Sequence, residues 1–256
     1  MQKYTNFYSY KENNEHFCRK LEKKFVKPYK HLFFDLDRTL WDLDRNSREA
    51  LHEIYTHFGL EEMGVLNFQA FFENYKHIND RLWDDYRKGL IHKDSLRSVR
   101  FSQTLQLFDI FDPRLSEKIG YTYVEISPKK TNLLPNALQT LDYLKDKYQI
   151  HIITNGFEEV QHIKLENSGL KPYLSQIITS EKAQCKKPDP RIFAFALHEA
   201  GAKRNESLMI GDSLELDILG AKQVGIAQVF FNPEGIRHTH EITHEIKDLG
   251  ELIHIL

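Results

Sequence analysis

The chain has 256 residues, 41% hydrophobic and 28% charged, with 35 basic against 37 acidic side chains and a formal net charge of −2. That balance suits a packed globular protein, one large domain or a domain carrying an inserted module, and argues against wholesale disorder. Near-neutrality supplies no global field for a nucleic-acid polymer, no apolar run is long enough to cross a bilayer, and two cysteines, Cys18 and Cys185, cannot build a disulfide framework. With no signal-peptide layout, the expected compartment is the reducing cytoplasm.

Residues 1–28 are polar and spotted with aromatics, with a basic run from Arg19 to Lys24, and read as a surface extension without chemistry. His31–Leu36 (HLFFDL) is a short apolar run fit for a buried strand. Residues 45–130 then look all-helical. Leu51, Ile54, Tyr55 and Phe58 share one helix face, with Asn46 and Glu49 as the expected N-terminal cap. A second stripe runs through Phe68, Phe71, Phe72, Tyr75, Ile78, Leu82, Trp83 and Tyr86, and Gly89 is placed to stop it. Further helical patterning covers Leu96–Phe108 and Leu115–Tyr123.

From Asn132 the texture alternates. Helices are predicted over Asn136–Lys147, Glu158–Ser168, Pro190–Ala200 and Leu216–Val224, and strands over Ile150–Thr154, Gln176–Thr179, Leu208–Ile210 and Ala227–Phe231. Such alternation predicts an α/β fold with a doubly wound, Rossmann-like parallel sheet. The all-helical module at 45–130 would be inserted into a core made of 29–44 and 131–256. Right-handed crossovers put every strand's carboxyl end on one edge, so groups distant in sequence converge there.

That edge gathers Asp35 and Asp37 (DLDRT), Thr154 and Asn155 (IITNG), Lys187 (KKPDP), and Asp212 and Asp217 (GDSLELD). Each alone is ordinary: an aspartate at a strand end is more often a turn former or helix cap. Together, packed carboxylates repel unless a cation sits among them, and hard oxygen ligands without His or Cys select magnesium. A lysine and a threonine add donors for phosphate oxygens, and an aspartate can attack phosphorus. For Asp217, a helix-dipole role explains its place as well as a metal role.

These four motifs, in this order, resemble the haloacid dehalogenase superfamily of phosphotransferases over about Lys30 to Leu256. The resemblance implies that Asp35 is the nucleophile and Asp37 the general acid/base. It implies that Thr154 and Lys187, with Asn155, hold the phosphoryl group. Magnesium would be bound by Asp35, Asp212 and the main-chain carbonyl of Asp37, with Asp217 in support. The insertion becomes a helical cap that closes over the site, with hinges near Asp42–Arg45 and Lys129–Asn132. ITNGFEEVQHIKLENSGL, GDSLELDILGAKQVGI and NDRLWDDYRKGLI are similar to nucleotidases acting on pyrimidine nucleoside monophosphates. The expected substrate is then a small phosphorylated metabolite, a nucleotide, handled by a monomer or homodimer without nucleic acid or membrane. Sugar-phosphate or phosphoglycolate phosphatases, phosphosugar mutases and 2-haloacid dehalogenases share the scaffold. Arg38 departs from the small or acidic residue that other members often carry.

Trp83 and Tyr86 read first as core residues, with stacking on a base as the functional alternative. Trp41 is expected to line the pocket. Lys186 and Lys187 would lower the pKa of Cys185, whose bland reading is a loop thiol. His240–His244 spells HExxH, the zinc-protease signature, but Ile242, Thr243 and the preceding Pro-Gly loop speak against a helix there. His238, His240 and His244 are read as solvated loop residues.

Overall fold

The computed structural model describes residues 29–256; the extension 1–28, with Cys18, lies outside the described residues. Strand β1 (His31–Phe34) is buried at every position, as a strand covered on both faces requires. Four helices follow: α1 (Leu43–His57), α2 (Phe68–Arg87), α3 (Lys93–Gln106) and α4 (Pro113–Ile126). The chain then alternates through α5 (Ala137–Leu144), β2 (Gln149–Thr154), α6 (Glu158–Asn167), β3 (Leu174–Thr179), the short α7 (Ser180–Ala183) and α8 (Pro190–Glu199). It continues through β4 (Ser207–Gly211), a π-helical turn (Leu214–Leu219), α9 (Gly220–Gln223), β5 (Ala227–Phe231), β6 (His244–Ile246) and α10 (Leu252–Ile255).

The six strands are parallel in the order β3-β2-β1-β4-β5-β6. Strand order reverses at β1, so a crevice opens beyond the carboxyl ends of β1 and β4. Alternate β1 side chains face opposite layers. Leu32 and Phe34 pack with Leu141 and Leu144 of α5, while Phe33 packs with Ile192, Phe193 and Ala196 of α8.

Helices α1–α4 bury a cluster of their own around Leu51, Ile54, Phe71, Tyr75, Phe101 and Ile119. The second half of α2 leaves that cluster: Ile78, Leu82 and Tyr86 pack with Leu96 of α3 around Phe157, at the entry to α6. Lys93 adds ion pairs to Glu159 (2.9 Å) and Glu181 (2.7 Å). The chain enters and leaves the helical module at one place, where Asp42 N donates to Asn132 O at 3.1 Å.

Several local expectations change. Asp42, not Asn46, caps α1, its Oδ1 accepting from Arg45 N at 3.0 Å. Asn46 lies one turn inside the helix and is buried. Its Nδ2 donates to Asn132 O (2.8 Å) and its Oδ1 accepts from Asn132 N (3.1 Å), clasping the two chain crossings. The predicted Leu216–Val224 helix starts instead as the π turn, in which Ile218 N reaches back to Ser213 O. Strand β6 carried no alternation to read, being three residues of mixed polarity. It also removes the zinc-protease alternative: His240 and Glu241 lie in coil and His244 opens a strand, so no helical turn pairs the two histidines.

Candidate active site

The sequence-predicted residues converge beyond the carboxyl ends of the central strands. Asp35 follows β1, its amide donating to Ile210 O at 2.9 Å, so the β1–β4 ladder itself fixes its backbone. Thr154 ends β2, and Asp212 follows β4. Lys187 arrives on the loop between α7 and α8 and is 2% exposed. Its Nζ donates to Asp35 Oδ1 (2.5 Å), Asp217 Oδ1 (2.6 Å) and Ile153 O (2.8 Å). Thr39, the last residue of DLDRT, donates to Asp212 Oδ1 at 3.2 Å, and its Oγ1 accepts from Asp212 N at 3.1 Å.

Two glycines permit this density. A Cβ on Gly211 would stand 2.3 Å from Asp217 Oδ2, and one on Gly156 would stand 2.1 Å from Gln161 Nε2. The π turn swings Asp217 inward beneath Gly211, where Ser213 N donates to its Oδ2 at 3.1 Å. Asp217 is buried and paired with Lys187, so it is not an exposed first-turn carboxylate serving the helix dipole.

The electrostatics follow from burial. Loss of water pushes the Asp35 carboxyl well above the usual carboxylate range; the Lys187 ammonium pulls it back, and Asp217 and Asp212 push it up again. Asp212 is pushed up to about 7, by burial first and then by Asp217. Burial opposes the charge on Lys187, yet Asp217 and Asp35 hold it protonated well above an ordinary lysine. Asp35, Asp212 and Asp217 each offer an oxygen within 4.8 Å of the others. Buried carboxylates in excess over one ammonium, all with hard oxygen donors, fit a magnesium ion.

Asp37 stands apart from this cluster but lines the same cleft. Lys164 Nζ donates to its Oδ1 at 2.6 Å and Gln161 Nε2 to its Oδ2 at 3.0 Å. Gln161 also donates to Thr154 Oγ1 at 2.6 Å. Sequence reasoning missed Gln161, Lys164 and the part played by Thr39. A signal existed on α6: Gln161, Lys164 and Leu165 form its buried stripe, so two polar residues sit where a sheet-covering helix normally carries apolar ones.

Asn155, expected on the phosphoryl group, turns its amide to the main chain of Lys187, donating to its O (3.0 Å) and accepting from its N (2.7 Å). It anchors the lysine loop. Trp41 is fully buried rather than in the cleft; its Nε1 donates to Lys130 O at 3.0 Å and Lys164 Nζ sits 4.2 Å from its ring. Burial and Asp189 raise the Cys185 thiol, contrary to expectation. Both neighbouring ammonium groups point elsewhere, Lys186 onto the Tyr86 ring (4.2 Å) and Lys187 onto Asp35.

A cleft of about 570 Å³ lies between this floor and the helical module. Trp83 lines it, whereas Tyr86 is buried behind Phe157. Arg38, held at φ 64°, reaches across to Asp44 (3.1 Å) and Asp80 (3.2 Å).

A lysine-bridged acidic centre at the switch point of a parallel sheet, facing a helical module across a cleft, is the layout of an α/β enzyme. The chain belongs to the haloacid dehalogenase-like hydrolases, whose family pattern matches residues 29–225. It is 33% identical over 228 residues to the pyrimidine 5'-nucleotidase YjjG of Escherichia coli K12, covering 85% of this chain and 96% of that one. It is 33% identical over 232 residues to the pyrimidine 5'-nucleotidase PynA of Streptococcus pneumoniae R6, covering 89% and 95%. The crystal structure of the HAD-hydrolase YfnB of Bacillus subtilis, bound to magnesium and described as revealing interdomain movement, superposes with a TM-score of 0.79 at 27% identity. It covers 89% of this chain and 98% of that one. Among the described residues no helix is long and apolar enough to cross a membrane.

Proposed function

We propose that this protein is a cytoplasmic, magnesium-dependent phosphatase that hydrolyses pyrimidine nucleoside 5'-monophosphates through an aspartyl-phosphate on Asp35. The observation that carries the reading is a second carboxylate, Asp37, held by Lys164 and Gln161 in the cleft that Asp35 also lines. A halide leaves without a proton; an alkoxide leaving from phosphorus needs one. The two nucleotidase relatives support the nucleotide substrate.

In this mechanism an Asp35 oxygen attacks phosphorus, the ester P–O bond breaks, and Asp37 gives its proton to the departing alkoxide. Asp37 then takes a proton from water as that water attacks the phosphorus, releasing inorganic phosphate and restoring Asp35. Lys187 and Thr154 neutralise and orient the phosphoryl oxygens. Magnesium, held by Asp35, Asp212 and the Asp37 main-chain carbonyl, would supply positive charge at the phosphoryl group. The helical module acts as a cap that excludes bulk water during the first transfer.

Lys164→Met is expected to lower kcat/KM for an alkyl phosphate by about 10- to 100-fold, because Asp37 loses its orienting ammonium. The value for p-nitrophenyl phosphate, whose leaving group needs no proton, should fall much less, and Lys164→Arg should recover part of the loss. Equal losses on both esters would remove the positioning role.

The function itself is tested by a phosphate-release screen across pyrimidine and purine monophosphates, sugar phosphates and phosphoglycolate, in EDTA and in magnesium. Activity should vanish in EDTA, return with magnesium, and favour pyrimidine monophosphates by at least about tenfold in kcat/KM. Full activity in EDTA would refute the metal, and a sugar phosphate or phosphoglycolate as the preferred substrate would refute the nucleotide.

A further inference from the structure

Gln161, in the first turn of α6, is fully buried and ends between two groups that line the cleft. Its amide nitrogen carries two hydrogens, and both are used: Nε2 donates to Asp37 Oδ2 at 3.0 Å and to Thr154 Oγ1 at 2.6 Å. The amide cannot turn round, because an ionised carboxylate only accepts, and the turned amide would set its oxygen against Asp37. It holds this orientation although its Oε1 is buried with no donor among the described residues. Buried amides normally satisfy both ends, so the two contacts of the nitrogen outweigh a vacant oxygen.

The consequence falls on Thr154. Its Oγ1 accepts from Gln161 Nε2 and also from Gly156 N at 3.1 Å, which occupies both lone pairs. Only the hydroxyl hydrogen remains, and it has no acceptor among the described residues. Thr154 is 2% exposed and lines the cleft that Asp35 also lines. A hydroxyl whose lone pairs are taken can only donate, and an ionised phosphoryl oxygen can only accept. Gly156 leaves the room this arrangement needs: the three atoms nearest a Cβ there would all belong to Gln161.

We propose that Gln161 is a positioning residue that makes the Thr154 hydroxyl a fixed donor to the substrate's phosphoryl oxygens and, through the same nitrogen, ties that donor to Asp37. This rests on the phosphatase reading and adds a residue to it. The hydroxyl then needs no reorientation as charge shifts onto the phosphoryl group. Lys164 hydrogen-bonds Asp37 but not Thr154, so its loss spares an ester that needs no acid; loss of Gln161 does not.

The test is kcat/KM for p-nitrophenyl phosphate and the inhibition constant of orthovanadate, a phosphate analogue, at saturating magnesium. Both are measured in the wild type, Gln161→Met, Thr154→Val and the double variant, with a thermal melt of each. Gln161→Met keeps the side-chain volume without the amide. It should lower kcat/KM at least about tenfold and weaken orthovanadate by a similar factor, although this leaving group needs no proton. The later attack of water does not enter kcat/KM, so the base role of Asp37 is not read. Thr154→Val should do the same, and adding Gln161→Met to it should change neither value further, because the hydroxyl it orients is gone. Gly156→Ala leaves both polar side chains in place; its Cβ would stand 2.1 Å from Gln161 Nε2, so it should push the amide off Thr154 and repeat the loss. Values within about twofold of wild type in a folded Gln161→Met, or losses that multiply in the double variant, overturn the proposal and leave Gln161 a packing residue. If Gln161→Met does not fold, wild-type values in Gly156→Ala overturn it. A wild type that neither releases phosphate from p-nitrophenyl phosphate nor binds orthovanadate fails one step earlier, refuting the phosphatase reading itself.

Discussion

Asp35→Asn is expected to cut turnover by at least about a thousandfold while leaving the fold intact. The substitution removes the attacking oxygen's charge but keeps its shape, and the new amide oxygen can still accept from Lys187, which now stands 2.5 Å away. Stability should change by less than about 1 kcal/mol, because Asp35 ionises against burial and against two neighbouring carboxylates. Two measurements check this. Steady-state phosphate release should fall to background. Acid quenching after mixing with radiolabelled substrate should trap label on the wild type and none on the variant. Release within tenfold of the parent rate would remove Asp35 from the nucleophile's role.

Lys187→Met should harm both activity and stability. Among the described residues no other cation pairs with Asp35 or Asp217, and the Lys187 ammonium satisfies both at once as well as Ile153 O. Removing one member of a buried ionic group costs about 3–5 kcal/mol, because uncompensated charge stays behind. The pH dependence has a definite sign. Asp35 and Asp212 bind protons more tightly in the folded state than in the unfolded chain, Asp35 being raised and Asp212 near 7 even with the lysine present. The folded state therefore holds protons that the unfolded chain has released, and this stabilising contribution is lost as pH rises through the folded values. The deficit of Lys187→Met should be largest near pH 8 and shrink toward pH 5. Added magnesium should also reduce it by binding the folded cluster. Urea midpoints at both pH values, with and without magnesium, measure this; a deficit that grows in acid would show that these carboxylates do not share one field.

What could be read from the sequence, and what could not, divides along physical lines. HLFF, QIHIIT and SLMIG are short apolar runs, and their burial in a parallel sheet follows from pattern alone. Asp35, Thr154, Lys187 and Asp212 were legible because strand ends and the loops after them share one edge whatever the packing details. Side-chain direction within a segment was not legible. Asn155 stands beside Thr154 yet turns to the Lys187 main chain, and Trp41 turns inward from the loop that carries Asp37. Gln161 and Lys164 looked like the wet face of a helix until α6 was seen to bury them over Asp37 and Thr154. The π turn has no sequence signature, so the inward swing of Asp217 had none either.

The clasp at Asn46 and Asn132 has a consequence for how the protein comes together. β1 and β2 are neighbours in the sheet, His31 beside Gln149, yet that pair lies 118 positions apart in the chain. Four helices in that interval fold on mostly local contacts and bring Asp42 against Asn132. Once they have formed, the remaining slack is a short tether on each side, which lowers the entropic cost of closing the central strand pair by on the order of 1 kcal/mol. Such an insertion is expected to shorten the search for the sheet that holds it.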